Sequence, residues 1–415
     1  GKNGTWFNSG NPATSTNPAK TGLTTALSPS ISLYDNEDYN ANFGADSSFA
    51  GNKTPQGNQD SNDIGDFLAL CTNNLPSVDV IPSENFNTVL YTGNGSTQSI
   101  TGVGFQPDFL WIKSRNGTDY HNVFDAVRGN TKRLFTNTSD AETTASNGVT
   151  SFDSDGFSVG SQLSQNRSAS TLVAWNWKAE GSASSNTNGT ITSSVSANVD
   201  AGFSIVADEA NGNVTSRGHG LASAPEMIIR KNRDSARNWA VWHKDLTANY
   251  ALEGLNTTGA QVSGGNPSKY FRDINSTTFS VGDDVSVNAN GDSYISYCFH
   301  SVESYSKVGS YTGNGSATAG PFVHCGFRPA YVMYKNANGT GNWGLLDNER
   351  NTYNPNDDWM AANLSNSESN ESQRLIDFLS NGFKVRGTNG DVNTNGQTYI
   401  FLAFAESPFK HTNAR

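Results

Sequence analysis

The stretch Tyr91-Thr92-Gly93-Asn94-Gly95-Ser96 decides the fold, because the same six residues recur unchanged at 311–316. The similarity continues beyond this hexapeptide. Gly104-Phe105-Gln106-Pro107 corresponds to Gly326-Phe327-Arg328-Pro329, and a short apolar segment follows each. Self-similarity of this kind indicates tandem structural units.

A third and more divergent copy lies between these two. All three copies place a lysine six residues after a proline, at Pro107–Lys113, Pro225–Lys231 and Pro329–Lys335. Each also closes on a strongly apolar segment, at 171–178, 293–299 and 398–405. The chain therefore contains three related units of roughly 100–120 residues, the size of a β-sandwich.

The apolar segments have the length and composition of β-strands. They contain four to eight residues, are rich in β-branched and aromatic side chains, and are flanked by Gly, Asn, Asp or Pro. Helical periodicity is nearly absent, and only 371–379 is compatible with a helical turn or two. We predict an all-β fold of tandem β-sandwiches, jelly-roll or lectin-like in type.

The composition agrees with this fold. About fifty asparagines and 41 glycines supply Asn-Gly pairs, such as Asn94-Gly95 and Asn314-Gly315, which favour tight hairpins. An aromatic content of 11% argues against intrinsic disorder, since disordered segments are poor in aromatic residues.

The repeats divide the chain into four predicted parts. Residues 1–82 do not fit the repeat, and the three sandwiches follow at 83–182, 183–304 and 305–415. The Ser- and Asn-rich stretch 181–198 has the composition of a linker between the first and second sandwiches.

Charge and cysteine content exclude several classes of protein. A net charge of −11 argues against nucleic-acid binding, which needs a basic surface. No segment approaches the ~18 apolar residues of a membrane span, so we expect no membrane insertion. Cys71, Cys298 and Cys325 are too few and too far apart for a disulfide framework or a zinc site, and we expect free thiols.

Two sets of motifs resemble a known family. Lys2 to Pro12, Asn42-Phe43-Gly44 and Leu70 to Pro76 resemble the C-terminal half of a SPRY-like, concanavalin-type sandwich found in bacteriophage virion proteins, notably of marine phages. The Gly-Phe-x-Pro-strand-Lys repeat is similar to a domain of unknown function that follows it in those proteins. The resemblance implies a tail-fibre, appendage or other structural protein, without established catalytic residues, and commonly a homotrimer.

The resemblance also implies that about half of a SPRY-like sandwich precedes Gly1. The chain has no initiator Met and no visible signal peptide, and we expect Gly1 not to be the start of the gene product. In that case the chain is a fragment, or another chain completes the sheet.

Several polar motifs are candidates for functional sites. Asp125/Arg128 and Asp347/Arg350 recur at identical spacing, and we expect a turn with a surface Asp–Arg contact, worth about 0–1 kcal/mol. The oxygen-rich loops 153–156 and 354–358 lack the pattern of a calcium-binding EF-hand. No histidine pair or Gly-x-Ser-x-Gly motif is present, so we expect no enzyme and no cofactor.

Aromatic side chains near polar loops are the remaining candidates. Tyr120, Trp343, Tyr353 and Trp359 have surroundings typical of glycan-binding surfaces, although each is also compatible with a core position. We therefore expect a virion tail fibre or appendage that contacts host surface carbohydrate and other virion proteins. The alternatives are a purely structural capsid fibre or decoration protein and a secreted array of carbohydrate-binding modules.

Overall fold

The structure is a computed structural model that describes residues 80–406 except Asn266. The SPRY-like part predicted for 1–82 lies outside the described residues except for its last three positions, and Cys71 also lies outside them. Within them the all-β prediction is confirmed: the helices are a 3₁₀ turn at Pro82–Glu84 and two single turns, α1 (Leu163–Asn166) and α2 (Val285–Asn288). Cys298 and Cys325 are free and buried, as expected.

The first repeat forms nine antiparallel strands. The larger sheet has the order β1-β9-β3-β4-β5-β6, and the smaller has the order β2-β8-β7. Their bounds are β1 (Phe86–Thr92), β2 (Gln98–Thr101), β3 (Phe109–Ser114), β4 (Asn122–Asp125), β5 (Lys132–Phe135), β6 (Thr143–Thr144), β7 (Val149–Asp153), β8 (Gly156–Val159) and β9 (Thr171–Trp177).

The second repeat forms β10 (Ser184–Asn186), β11 (Ser193–Asn198), β12 (Phe203–Glu209), β13 (Thr215–Gly218), β14 (Met227–Asn232), β15 (Ala240–His243), β16 (Tyr250–Ala251), β17 (Val262–Ser263), β18 (Phe271–Arg272), β19 (Thr278–Val281) and β20 (Ser293–Phe299). The larger sheet has the order β10-β11-β12-β20-β14-β15, the smaller β13-β19-β18, and β16 pairs with β17. The linker predicted at 181–198 is wrong, because β10 and β11 belong to the larger sheet.

The third repeat forms β21 (Ser306–Thr312), β22 (Phe322–His324), β23 (Pro329–Asn336), β24 (Gly344–Asp347), β25 (Asp358–Ala361), β26 (Ser369–Asn370), β27 (Ile376–Leu379), β28 (Gly382–Val385) and β29 (Thr398–Ala405). The larger sheet has the order β21-β29-β23-β24-β25-β26, and the smaller has the order β22-β28-β27. The helical turn suggested for 371–379 is wrong, because the end of this stretch forms strand β27. Ile376 and Phe378 of β27 are buried and the residues that follow each are more exposed, which is the period of a strand.

Each larger sheet packs one face against its own smaller sheet. In the first repeat Leu110 and Ile112 of β3 meet Phe157 and Val159 of β8 in one apolar cluster. Equivalent clusters fill the second and third repeats. Each repeat is therefore a β-sandwich, as the repeat length indicated.

The opposite faces of the three larger sheets share one central core. Alternate residues of the innermost strands point into it, among them Phe109, Trp111, Val173, Trp175, Trp177, Ile205, Ile229, Ile295, Tyr297, Tyr331, Met333, Ile400, Leu402 and Phe404. The central strands are consequently buried on both faces. The three sandwiches form one body with approximate threefold symmetry.

Aromatic contacts join every pair of repeats across this core. The ring centroids of Phe109 and Tyr297 lie 4.2 Å apart across the first–second seam, and those of Trp175 and Tyr331 lie 5.9 Å apart across the first–third seam. At one end of the core, Phe86 in β1 stacks on Phe404 in β29 at 4.9 Å. The first and last strands of the described body are therefore neighbours.

Candidate functional site

Two of the four aromatic candidates lie inside the body. Trp343 is 1% exposed and donates its indole N–H to the carbonyl oxygen of Gly254, 3.1 Å away. Trp359 is 5% exposed and donates to the hydroxyl of Tyr334 at 3.0 Å. Neither ring has a face open to a sugar, so both are corrected from candidate ligand-binding residues to core residues.

The other two candidates are exposed. Tyr120 is 45% exposed and rests edge-on against Phe135, while Tyr353 is 82% exposed. The loop of Tyr353 is held by Asn354, whose amide exchanges two hydrogen bonds with the backbone of Phe378. Both tyrosines are accessible, and their binding of glycans stays a prediction.

The repeated Asp–Arg motif is buried, which corrects the expected surface contact. Asp125 and Arg128 are completely buried at their side chains, with Nε and Oδ2 2.5 Å apart. Tyr297 of the second repeat donates its hydroxyl to the same carboxylate at 2.7 Å. The motif therefore fastens the first–second seam.

The same arrangement occurs at the first–third seam. Asp347 and Arg350 are buried with Nε and Oδ2 2.6 Å apart, and Trp175 of the first repeat donates its indole N–H to Asp347 at 3.0 Å. In the register of the sheets, Trp175 and Tyr297 hold equivalent positions on the closing strands β9 and β20.

The second–third seam is neutral. His243 replaces the aspartate, and its Nε2 lies 3.4 Å from the carbonyl oxygen of Phe401. Burial lowers the pKa of His243 to about 4, so the ring is uncharged at neutral pH. The repeated motif is thus part of a structural ring and no longer a candidate for catalysis.

A second layer of contacts follows the same division. At all three seams a backbone N–H donates to a carbonyl oxygen of the next repeat at 2.7 Å: Glu142 to Arg233, Glu368 to Arg115, and Gln261 to Ala337. The first two pairs are also ion pairs, with N–O distances of 2.9 and 2.7 Å. In the third pair alanine and glutamine stand in place of the charged partners.

The three repeated lysines are also structural. Lys113, Lys231 and Lys335 are fully buried, and each donates to the carbonyl oxygen of the following residue. Burial lowers the pKa of each to about 8. They donate hydrogen bonds to carbonyl groups at the ends of the inner strands, which would otherwise be buried without partners.

The oxygen-rich loops are explained by turns. Asp155 accepts hydrogen bonds from the backbone N–H groups of Gly102 and Gly104 at 3.1 and 2.7 Å. Asn351 and Asp357 bond to each other across the 351–357 loop. Between residues 80 and 406, as far as the structure describes them, no group of three or more His, Cys, Asp or Glu side chains is arranged to hold a metal ion.

One groove on the second repeat has the character of a binding site. It has a volume of about 590 Å³, within the range of about 300–1,000 Å³ for ligand pockets. Trp242 lines it and, among the described tryptophans, is the one that is not buried. Phe271, Leu246, Pro225 and Ile274 complete an apolar lining around it.

The groove exists because the second sandwich is incomplete on one side. Trp242 occupies the position of Phe124 and Leu346, which are fully buried. In the first and third repeats the outer strands β7 and β27 have five and four residues, whereas β18 has two. The shorter strand leaves Trp242 partly exposed.

Charged side chains surround the apolar lining in pairs. Lys244 Nζ lies 3.4 Å from Glu226 Oε1, and Arg272 Nε lies 3.0 Å from Asp273 Oδ2. Ser301 also donates its backbone N–H and hydroxyl to Glu226. Burial raises the pKa of Glu226, but the bonds from Ser301 and the charge of Lys244 outweigh it and leave the pKa lowered.

The walls of the groove are preorganised. Hydrogen bonds from Leu246 to His243 and from Tyr250 to Thr247 fix the loop 244–250. Asn249 and Asp273 have φ angles of +64° and +50°, two of the four non-glycine residues with positive φ in the described chain. Asn and Asp adopt this conformation more readily than other non-glycine residues, so both form stable turns in the walls of the groove.

A second cleft, of about 360 Å³, is more polar. It lies between the first and second repeats and is lined by Arg237, Lys269 and Asp284 among others. Its aromatic residue, Tyr270, is only 3% exposed. This cleft lacks the apolar surface that distinguishes the Trp242 groove. The apolar cavity in the central core, about 10 Å³, has room for about one water molecule.

Fold and site together define an all-β protein of three sandwiches closed around a common core, with an open groove on the second. Residues 81–408 match the family model of a domain of unknown function, DUF7483, and the chain belongs to that family. None of the curated proteins and none of the solved structures matches the chain. In the described part of the chain, no helix has the length and apolar character needed to cross a bilayer.

Proposed function

We propose that this chain is a structural protein of a phage virion, part of a tail fibre or similar appendage, and that its Trp242 groove contacts host surface glycans. The observation that carries the binding role is the partly exposed Trp242 in a groove with polar and charged rims. An indole face and adjacent hydrogen-bonding groups are the two elements that bind the apolar face and the hydroxyls of a sugar.

The body of three sandwiches around one core supports a mechanical role. Side-chain and backbone contacts at every seam hold the repeats in one unit, so the groove is carried on a rigid support. Loops on rigid sandwiches are suited to recognition because their positions are fixed by the sheets. The proposal contains no catalytic step.

The homotrimer remains part of the proposal, on the resemblance alone. Small polar sandwiches gain stability from additional apolar burial, which a trimer would provide between copies. That burial is supplied within one chain, because all three repeats contribute to the same core. Sedimentation of the full chain tests the trimer, and a monomer at all working concentrations would exclude it.

Two experiments test the function. Antibodies against the chain should label the tail or appendages in electron micrographs of intact particles; labelling of the capsid would favour the decoration protein instead. The full chain should bind immobilised host-surface glycans, and Trp242→Ala should lose that binding while Phe322→Ala, which removes an exposed ring of the third repeat, keeps it. If the chain binds no glycan on a broad array, the adhesive role is excluded.

A further inference from the structure

We infer that the Trp242 groove selects neutral oligosaccharides over acidic ones. This inference rests on the proposed glycan-binding function and names the class of sugar. It follows from the pairing of charges at the rim and from the lining of the groove.

Among the described residues that line the groove, each cation is paired with a carboxylate. Lys244 is paired with Glu226, and Arg272 is paired with its neighbour Asp273. A sugar carboxylate would have to displace one of these groups and would then lie beside it. Like charges brought together in a partly desolvated site are unfavourable, so the rim disfavours acidic sugars.

Neutral hydroxyl groups meet no such penalty. A hydroxyl both donates and accepts, and it can bond to an ion-paired carboxylate or ammonium without separating the pair. Glu226 keeps the two hydrogen bonds from Ser301 throughout, so its position is fixed. The rim can therefore recognise hydroxyls while its own charges stay balanced.

The lining favours a sugar over an extended peptide. The partly exposed ring of Trp242 provides an apolar surface against which the C–H face of a pyranose ring can pack. A peptide would need a free strand edge, but the edge of β15 is already used, since Val241 and Leu252 exchange two backbone hydrogen bonds at 2.9 Å. The groove thus has no free edge on β15 for strand addition.

Titration of the full chain with defined sugars tests the inference. The neutral probes are cellotriose, maltotriose and chitotriose, and the acidic probes are sialyllactose and trigalacturonate. At least one neutral probe should bind, with an affinity that changes less than about twofold between ~50 mM and ~500 mM NaCl. Trp242→Ala should weaken it at least about tenfold.

Two variants control for folding and for general surface effects. Trp242→Phe keeps an aromatic ring and should retain part of the affinity, whereas Phe322→Ala removes an exposed ring on the third repeat, outside the groove, and should change nothing. Preferential, salt-sensitive binding of an acidic probe, or neutral binding that survives Trp242→Ala, would overturn the inference while leaving glycan adhesion intact. No binding of any probe, together with a negative glycan array, would overturn the proposed function as well.

Discussion

Leu402 of the third repeat occupies the position that Trp175 holds in the first. Each pairs with the inner strand at the same register, Leu402 with Met333 and Trp175 with Trp111. Trp175 has a polar N–H and faces a buried aspartate, while apolar Leu402 belongs to the seam where histidine replaces that aspartate. Polar donor and buried acid are thus present together or absent together, which indicates that each seam is a coupled unit.

Removing one member of a charged seam should be costly. Asp347→Ala leaves Arg350 buried without its main partner and deprives the Trp175 indole of its acceptor. We expect a loss of about 3–5 kcal/mol in the free energy of unfolding, measured by urea denaturation. As a control, Asp119→Ala removes a partner of the exposed Arg167 and should cost less than about 1 kcal/mol. Equal losses for both variants would contradict the role of the seam.

The outer ion pair of the first–third seam should be coupled in energy. Arg115→Ala and Glu368→Gln together reproduce the neutral pair found at the second–third seam, Ala337 and Gln261. We expect the double variant to lose less stability than the sum of the single variants, with a coupling energy of about 0.5–3 kcal/mol in a double-mutant cycle. Additive losses would show that the two side chains act independently.

Stability should rise between pH 8 and pH 9. Lys113, Lys231 and Lys335 have pKa values lowered by burial to about 8, so in this range the unfolded chain binds more protons than the folded one. Each lysine raises the free energy of unfolding by up to about 1.4 kcal/mol per pH unit in this range. Lys335→Met should reduce the slope of unfolding free energy against pH, and Lys178→Met, at an exposed site, should not.

Above pH 9 the slope of the unfolding free energy against pH should diminish. Burial raises the pKa of the Cys298 and Cys325 thiols to about 12, so the unfolded chain loses these protons first and stability falls through their contribution. A profile that keeps rising with the same slope to pH 11 would contradict these assignments.

The two described thiols should be unreactive toward thiol reagents in the folded protein. Cys298 and Cys325 are buried, and a thiol with a raised pKa has little thiolate to react. With a chromogenic disulfide reagent at pH 8, we expect at most one thiol of the chain to react natively and all three in denaturant. Fast native labelling of Cys298, detected by mass spectrometry, would contradict its buried position.

Sequence alone predicted the strands and the repeats but not the central core. In 171–178 both alternating sets, Leu172 and Ala174 on one face and Val173 and Trp175 on the other, are apolar or aromatic. Such continuous segments indicate burial on both faces. What covers the second face could not be inferred, because the partner of Trp175 is Asp347, 172 residues away.

The candidate groove was missed for a similar reason. Trp242 stands where Phe124 and Leu346 stand, and residue type does not distinguish a covered aromatic from an uncovered one. The difference arises in β18. Its two residues are too few to cover Trp242 in the way that the longer strands β7 and β27 cover Phe124 and Leu346. Trp343 and Trp359 were selected because polar loops surround them in the sequence, but folding places both indoles inside.

The stacking of Phe86 on Phe404 has a topological consequence. Since the start of the first strand and the end of the last strand are in contact, a short peptide could join them, and the chain could be opened instead in a surface loop between the first and second repeats or between the second and third. The same core would then be assembled from the repeats in a permuted order. The order of the three units along the gene is therefore separable from their arrangement in space.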